Sequence, residues 1–211
     1  MRFYNEMCEN LRRGEPFKFS RWGDGEWGCM KGWEGKNRDG NEYTPQLRQE
    51  LQAILYGEQD YYFGLQYGVL YNPELRDYVF NILFTDKHNW VNGDVLHQAS
   101  EYGYLGEFIN ALRDRIIVII GAKYFSKLPY NHIVTPDINS YPDNDYILRS
   151  TEYFSPFDDP VYLVASAMNS NVIIDELPDR VTAIDIGSVF DPYLGRPRAR
   201  YQHKLKAEWL W

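Results

Sequence analysis

The second half of the chain alternates continuous apolar segments with amphipathic ones. RIIVIIGA (115–122) is a β-branched run that ends in glycine, which is typical of a strand buried on both faces of a parallel sheet. VYLVASA (161–167) and VTAIDIGS (181–188) repeat this pattern, and the amphipathic segment NSNVIIDELP (169–178) lies between them. The pattern predicts these three strands as neighbours in the middle of the sheet.

The first half carries weaker patterns with clear helix starts. Thr44 followed by Pro45 predicts a helix that ends near Gly57, since its apolar residues recur at helical spacing. The remaining predicted elements are, in chain order, a helix ending near Gly14, strands at 16–20 and 60–66, helices at 72–84 and 97–113, a strand at 131–136 and a helix at 141–154.

This alternation of strands and helices implies right-handed βαβ units. We therefore predict an α/β fold, a three-layer sandwich around a mainly parallel, Rossmann-like sheet. The 211 residues show no repeats and no obvious linker. We expect a single domain over residues 1–211, with a short basic C-terminal segment at 195–211.

Composition narrows the functional classes. The net charge of −8 means that the molecule as a whole should repel nucleic acid and anionic membranes. Cys8 and Cys29 are too few for a disulfide framework, and no segment resembles a signal peptide or approaches a membrane span. We therefore expect a cytoplasmic protein. The 18 tyrosines and 6 tryptophans either fill a bulky core or line a site for ring-shaped ligands.

The first predicted strand leads directly into SRWGDGEWGCM (20–30). Ligands of open parallel sheets bind where strands end. In extended backbone, Asp24 and Glu26 point the same way, and such paired carboxylates suit Mg²⁺ or Mn²⁺ shared with phosphate. The alternative is a surface turn, but the neighbouring Arg21 and the two tryptophans make an ordinary solvated turn a poor explanation.

The stretch FSRWGDGEW (19–27) resembles the R-[FY]-G-D-G-E stretch of the GT-D type glycosyltransferases, a bacterial group in which D-x-E binds a metal and a nucleotide sugar. The resemblance spans about residues 17–195. It continues through NEYTPQLRQELQAIL (41–55), RIIVIIGAKYF (115–125), IVTPDINSYPDNDYIL (133–148) and the closing segments 161–177 and 181–191.

This resemblance implies transfer of a sugar from a nucleoside diphosphate sugar, with a UDP-sugar as the expected donor, to a hydroxyl acceptor. It implies Mn²⁺ or Mg²⁺ bound by Asp24 and Glu26. The donor-binding residues would then include Arg21 and the backbone of Gly23 and Gly25, aimed at the diphosphate. Trp22 and Trp27 are further candidates, for stacking on the base or the sugar.

One position departs from the family's pattern. Members often carry D-I-G-H near the C-terminal end, whereas this chain has Ser188 in place of the histidine. Another residue, Asp191 or His203, would then supply that function, or the substrate is handled differently. The candidate catalytic residues are Asp191, Asp185 and Ser188, with the two aspartates as general bases. Asp185, at a strand end, equally suits a structural cap.

Residues 195–206 form a dense basic run in an acidic chain. Arg196, Arg198 and Arg200 alternate, so in extended backbone they form a row of guanidinium groups suited to phosphate; His203, Lys204 and Lys206 follow. The run is either a solvated tail, a cover over the donor diphosphate, or a guide for an anionic acceptor. Such acceptors include a lipid-linked phosphate, a cell-surface glycan of the teichoic type and hydroxymethylated phage-type DNA.

The sequence lacks the motifs of several enzyme classes. The sequence has no G-x-x-x-x-G-K-[ST] and no G-x-S-x-G, and its four histidines show no zinc spacing. Two other classes stay open beside the glycosyltransferase. They are a metal-dependent nucleotide phosphohydrolase or nucleotidyltransferase and a non-catalytic module that binds nucleotide sugars. The donor sugar, the acceptor, the stereochemical outcome and the oligomeric state also stay open.

Overall fold

The computed structural model describes residues 2–154, 156–157 and 160–205. Its strands are β1 Lys18–Trp22, β2 Tyr62–Leu65, β3 Asn89–Asn92, β4 Ile117–Ala122, β5 Asn131–Thr135, β6 Val161–Ala165 and β7 Thr182–Asp185. Its α-helices are α1 Arg2–Arg13, α2 Asp24–Lys31, α3 Pro45–Tyr56, α4 Pro73–Leu83, α5 Val95–Glu101, α6 Leu105–Ala111, α7 Asn144–Thr151 and α8 Asn169–Glu176.

The strands form one sheet in the order β3-β2-β1-β7-β6-β4-β5. Every pairing between these strands is parallel. The three apolar segments predicted as inner neighbours are β7, β6 and β4, which lie side by side. The predicted parallel sheet and its central strands are therefore confirmed.

Alternate residues of the central strands face different helical layers. Ile117 and Ile119 of β4 pack against α1, α5 and α6, whereas Val118 and Ile120 pack against α7 and α8. Because the strands are covered on both faces, they lack the polar positions of a one-sided sheet. Helices α2, α3 and α4 cover the β1 and β2 end of the second face. The result is the predicted three-layer sandwich.

The helix starts follow local capping chemistry. Thr44 Oγ1 accepts a hydrogen bond from the Leu47 N–H at 3.2 Å, and Pro45 opens α3. Asn72 Oδ1 accepts from the Glu74 N–H at 3.0 Å at the start of α4. Proline is favoured at the first helical position because the N–H that it lacks would be unpaired there. These two helix starts could therefore be predicted from the sequence.

Three local predictions are wrong. The segment 97–113, predicted as one helix, forms α5 and α6, because Gly103 adopts φ +80° between them. The edge strand β3 was missed, since its NWVN sequence is short, only partly buried and half polar. The helix predicted over 141–154 is regular only in α7, with 3₁₀ turns on both sides.

Both cysteines are buried free thiols, with Cys8 of α1 under one face of the sheet and Cys29 of α2 under the other. None of the helices in the described residues is long and apolar enough to cross a membrane. Lys206 and the rest of 206–211, part of the predicted basic segment, lie outside the described residues.

Candidate functional site

A crevice of about 690 Å³ opens at the carboxyl edge of the sheet. Its walls come from the ends of six strands, so it gathers the segments that follow them, as ligand sites of open parallel sheets do. One residue from each strand end illustrates this: Arg21, Gln66, Tyr124, Asp137, Ala165 and Asp185.

The D-x-E residues lie in the first turn of α2. Glu26 Oε2 accepts a hydrogen bond from the Gly23 N–H at 2.7 Å, and the Trp27 N–H bonds to the Gly23 carbonyl at 3.1 Å. The expectation of an extended motif is therefore wrong, since Glu26 closes a helix start here. Residues two apart on a helix leave it about 200° apart, so the shared direction expected from an extended backbone is lost.

Both carboxylates nevertheless line the crevice, Asp24 exposed and Glu26 9% exposed. Burial raises the pKa of Glu26 to about 7, against the hydrogen bond from Gly23, and the negative charges of Asp185 and Asp24 raise it further. Within the described part of the chain, no group of three or more acidic, histidine or cysteine side chains could hold a metal. The two carboxylates fit an ion that also takes oxygen ligands from a bound molecule.

Arg21 is fixed at the floor of the crevice. Its Nε donates to the Gly93 carbonyl at 2.8 Å, and its Nη1 lies 3.8 Å from Asp185 Oδ1. A Cβ at Gly187 would lie 1.8 Å from Nη1, so this close approach requires glycine. Asp185 Oδ1 also accepts from the Gly187 N–H at 2.8 Å. Burial raises the pKa of Asp185 to about 6, while Arg21 lowers it.

Asp191 anchors the opposite wall. It is fully buried, and its Oδ1 accepts from the Tyr124 hydroxyl at 2.9 Å while its Oδ2 lies 2.7 Å from Arg198 Nε. Burial raises the pKa of Asp191, and the positive charge of Arg198 lowers it. Arg196 lies over the Tyr124 ring at 4.2 Å and pairs with Asp137 at 3.3 Å.

The basic run does not project as one row. Arg196 and Arg198 line the crevice, whereas Arg200 and His203 are exposed and do not. The chain turns after Arg198, where the Gln202 N–H bonds to the Ala199 carbonyl at 3.0 Å, so the alternation ends there. Arg200 and His203 therefore lose their predicted place at the donor site.

The tryptophans of the motif belong to the core. Trp22 and Trp27 have no exposed surface; Trp22 stacks on Phe63 at 5.5 Å and Trp27 on Trp90 at 5.9 Å. They cannot stack on a base or a sugar, so that prediction is wrong. The N–H of Gly23 is likewise engaged by Glu26 and is not free for a diphosphate. Gly25 lines the crevice as expected.

Sequence reasoning missed His97 at this site. His97 begins no recognisable motif, yet its Nε2 lies 3.3 Å from Ser188 Oγ, and both residues line the crevice. Burial and the nearby Arg21 lower the pKa of His97 to about 3, so its imidazole is neutral at pH 7. The two residues meet because the first turn of α5 and the loop after β7 converge, a contact that no sequence spacing signals.

No family model matches the sequence, and no curated protein matches it. Solved structures do match its fold. One is described as a new glycosyltransferase (DUF1792) from Streptococcus sanguinis; it is 16% identical with a TM-score of 0.68, over 88% of this chain and 80% of that one.

A second solved structure, described as the highly conserved domain of unknown function 1792 with a distinct glycosyltransferase fold, is 20% identical. Its TM-score is 0.64, over 88% of this chain and 77% of that one. At these identities the likeness shows a shared fold. The fold that the sequence resemblance implied is thereby confirmed.

Proposed function

We propose that this chain is a metal-dependent glycosyltransferase that moves a sugar from a nucleoside diphosphate sugar to a hydroxyl acceptor. One observation carries the proposal: in a fold shared with a described glycosyltransferase, one crevice holds both carboxylates of the D-x-E motif together with arginine side chains. The volume of about 690 Å³ suits a nucleotide sugar.

The charge balance of the crevice supports a metal. Among the described residues, its lining includes six carboxylates, Asp24, Glu26, Asp39, Asp137, Asp185 and Asp191, against three guanidinium groups, Arg21, Arg196 and Arg198. A diphosphate brought alone into this surplus of negative charge would be repelled. Asp24 and Glu26 would hold the Mn²⁺ or Mg²⁺, which when bound would stabilise negative charge on the leaving diphosphate.

The three arginines of the crevice place fixed positive charge on two of its sides. Arg21 is held at the floor by the Gly93 carbonyl and Asp185, and Arg196 and Arg198 are held at the opposite wall. Because their orientation is set before a ligand arrives, these groups suit phosphate oxygens at little reorganisation cost.

Asp185 is the favoured general base among the predicted candidates. Its raised pKa, about 6, lies near the range in which a base works best at neutral pH. Asp191 is committed to Tyr124 and Arg198, so it serves better to position the arginine. Ser188, bonded to the neutral His97, suits a hydrogen bond to a substrate hydroxyl.

A neutral glycan is the favoured acceptor over a polyanion. Asp137 and Asp39 at the crevice rim pair with Arg196 and Arg198 at 3.3 and 3.5 Å, which neutralises much of the basic run. A lipid-linked phosphate or modified DNA would meet these carboxylates first. The proposal includes a cytoplasmic location, which the two free thiols support.

The test is a turnover assay on a panel of nucleotide sugars with Mn²⁺, Mg²⁺ or EDTA, which measures released nucleoside diphosphate. We expect release with one donor that requires metal and is lost in Asp24→Asn, while Asp77→Asn on α4, outside the crevice, keeps it. Release of inorganic phosphate or pyrophosphate would instead favour the phosphohydrolase or nucleotidyltransferase. Binding without turnover of any donor would favour the non-catalytic module.

A further inference from the structure

Gln66 lies beside the D-x-E motif because β1 pairs with β2. It follows β2 directly, and its N–H donates to the Trp22 carbonyl at 3.1 Å. The parallel register of the two strands thereby holds Gln66 next to Gly23, where the motif begins. Gln66, Asp24 and Glu26 all line the crevice.

The side chain of Gln66 crosses over Gly23. A Cβ at Gly23 would lie 1.9 Å from Gln66 Oε1 and 3.3 Å from Glu26 Oε2. The φ of Gly23 is −108°, which any residue adopts, so the position requires glycine because of this close approach. Two side-chain oxygens therefore border the same point at the start of α2.

Asp94 fixes which end of the Gln66 amide faces Gly23. Gln66 Nε2 donates to Asp94 Oδ1 at 3.4 Å, and Asp94 Oδ2 accepts from the Tyr67 N–H at 3.2 Å. The Asp94 carboxylate attracts the amide NH₂ and repels the amide carbonyl, so the reversed orientation is unfavourable. Oε1 is thereby kept on the side of Glu26.

These neighbouring oxygens suit a cation. When Glu26 is ionised, its carboxylate and the Gln66 carbonyl are both acceptors, and neither can donate to the other. Mg²⁺ and Mn²⁺ take about six oxygen ligands, and side-chain amide carbonyls are among the groups that bind such hard cations. The described residues hold no group of three acidic, histidine or cysteine side chains suited to a metal. A carbonyl oxygen can fill one of the positions that the two carboxylates leave.

We propose that Gln66 Oε1 is a further ligand of the divalent cation held by Asp24 and Glu26. This inference rests on the proposed metal-dependent function and adds a residue to its metal site. A carbonyl is a neutral ligand, so it binds the ion without cancelling the positive charge that the diphosphate needs. Because Asp94 orients the amide, the oxygen is in place before the ion arrives.

A Tb³⁺ titration of the full chain tests the ligand directly. Tb³⁺ is a hard cation that seeks oxygen ligands, and excited tryptophan transfers energy to it. Trp27, which follows Glu26 in α2, therefore reports on an ion bound here. The luminescence lifetimes in H₂O and D₂O give the number of water molecules on the ion. Only the signal that Mn²⁺ displaces and that Asp24→Asn abolishes is assigned to the site, since the acidic surface attracts Tb³⁺ elsewhere.

Two variants of Gln66 give opposite expected results. Gln66→Leu removes the oxygen at similar size, so the ion should bind about tenfold more weakly and carry about one more water molecule. Gln66→Glu keeps an oxygen and adds charge, so the ion should bind more tightly with the water count of the parent protein. A glutamine that only packs over Gly23 would leave the water count unchanged in both variants.

The matched control is Gln98→Leu. Gln98 Oε1 accepts from Asn92 Nδ2 at 2.8 Å in the neighbouring part of the fold, but Gln98 does not line the crevice. This variant loses a glutamine and its hydrogen bond without losing an oxygen of the proposed site. It should keep both the Tb³⁺ affinity and the water count of the parent protein.

Unchanged affinity and water count in Gln66→Leu would overturn the inference, whereas loss of the signal in Asp24→Asn alone would still support the proposed metal site. If the parent protein gives no Tb³⁺ signal that Mn²⁺ displaces, the metal dependence of the proposed function fails together with the inference. If Gln66→Leu does not fold, Gln66→Glu decides, because unchanged Tb³⁺ affinity in that variant contradicts a ligand at this position.

Discussion

Glu26 uses one carboxyl group for two purposes. Oε2 pairs the Gly23 N–H and closes the first turn of α2, while the same group faces the crevice beside Asp24. A residue in that position couples the start of a helix to the charge of the site. Its structural and functional roles are separable only by a substitution that keeps the hydrogen-bond acceptor.

Glu26→Gln is that substitution. The glutamine carbonyl still accepts from Gly23, so the free energy of unfolding at pH 4.5, where the carboxyl is protonated in the folded chain, should change little, whereas turnover should be lost with the charge. Glu26→Ala should lose turnover and about 1 kcal/mol of stability with the cap. Urea denaturation and release of nucleoside diphosphate measure the two effects. A fully active Glu26→Gln would remove this residue from the metal site.

Trp22→Leu tests the corrected role of the motif's tryptophans. Trp22 packs against Phe63, Trp27 and Trp90 without exposed surface. Its truncation should cost about 3 kcal/mol in the free energy of unfolding through lost packing. The KM for the donor should stay near that of the parent protein. A large rise in KM with unchanged stability would restore the stacking hypothesis.

Sequence reasoning located residues of the site where they end a strand. Arg21, Asp185 and Ser188 line the crevice because an apolar run marks where each strand stops. It failed for His97, whose place depends on how α5 and the loop after β7 converge. It also failed for Trp22, because strand alternation alone does not tell which face of β1 meets helices and which end meets solvent.

At the scale of elements, the segment after β7 is an anchored strap rather than a tail. Gln202, 1% exposed, donates from Nε2 to the Ser188 carbonyl at 3.0 Å and accepts the N–H of Arg198 at 2.7 Å. Two of its arginines are thereby held against the crevice. A solvated tail would leave these arginines free, whereas a cover over the donor diphosphate would hold them at the crevice, as Arg196 and Arg198 are held here.

Arg198→Ala and Arg200→Ala compare an arginine that lines the crevice with one that does not. Removal of Arg198 takes a partly exposed cation from the buried Asp191, so this variant should lose stability, by about 1 kcal/mol, and bind UDP with Mn²⁺ more weakly. Arg200→Ala should change neither quantity. Thermal unfolding and calorimetric titration measure both. Equal behaviour of the two variants would contradict the role given to Arg198.

The element pattern was readable from sequence where burial is complete. Strands β4, β6 and β7 are almost entirely buried because helices cover both faces, and α3 and α4 carry Thr-Pro and Asn-Pro starts. The edge strand β3 carries no such signal, since none of its four residues is fully buried. The start of α2 was misread because a glycine-rich stretch suits a turn as well as a helix.

At the scale of the whole molecule, buried carboxyls make stability fall as pH rises. The pKa of Glu26 is raised from 4.5 to about 7 and that of Asp185 from 3.8 to about 6. Between these values the folded state binds more protons than the unfolded state, so the stability they contribute at low pH is lost as pH rises. The lowered pKa of His97 has the opposite effect: the folded state binds fewer protons than the unfolded state below pH 6.5, so stability is lost as pH falls.

The difference between parent protein and Glu26→Gln isolates one of these groups. In EDTA, the parent should lose stability relative to the variant as pH rises from 5 to 8, since only the parent must ionise a buried carboxyl. Urea denaturation at each pH measures the difference. A constant difference across this range would show that Glu26 ionises as readily in the folded chain as in the unfolded one.

The two buried thiols lie on opposite faces of the sheet, so the rate at which each is modified reports the opening of its own helical layer. Burial raises the pKa of both Cys8 and Cys29 to about 11, so a thiol reagent reacts with either only after its layer opens. Cys29 sits in the helix that begins with Asp24, whereas Cys8 lies in α1 on the far layer. A ligand that closes around Asp24 should slow the modification of Cys29 and leave that of Cys8 nearly unchanged, so labelling rates read out each side of the sandwich separately.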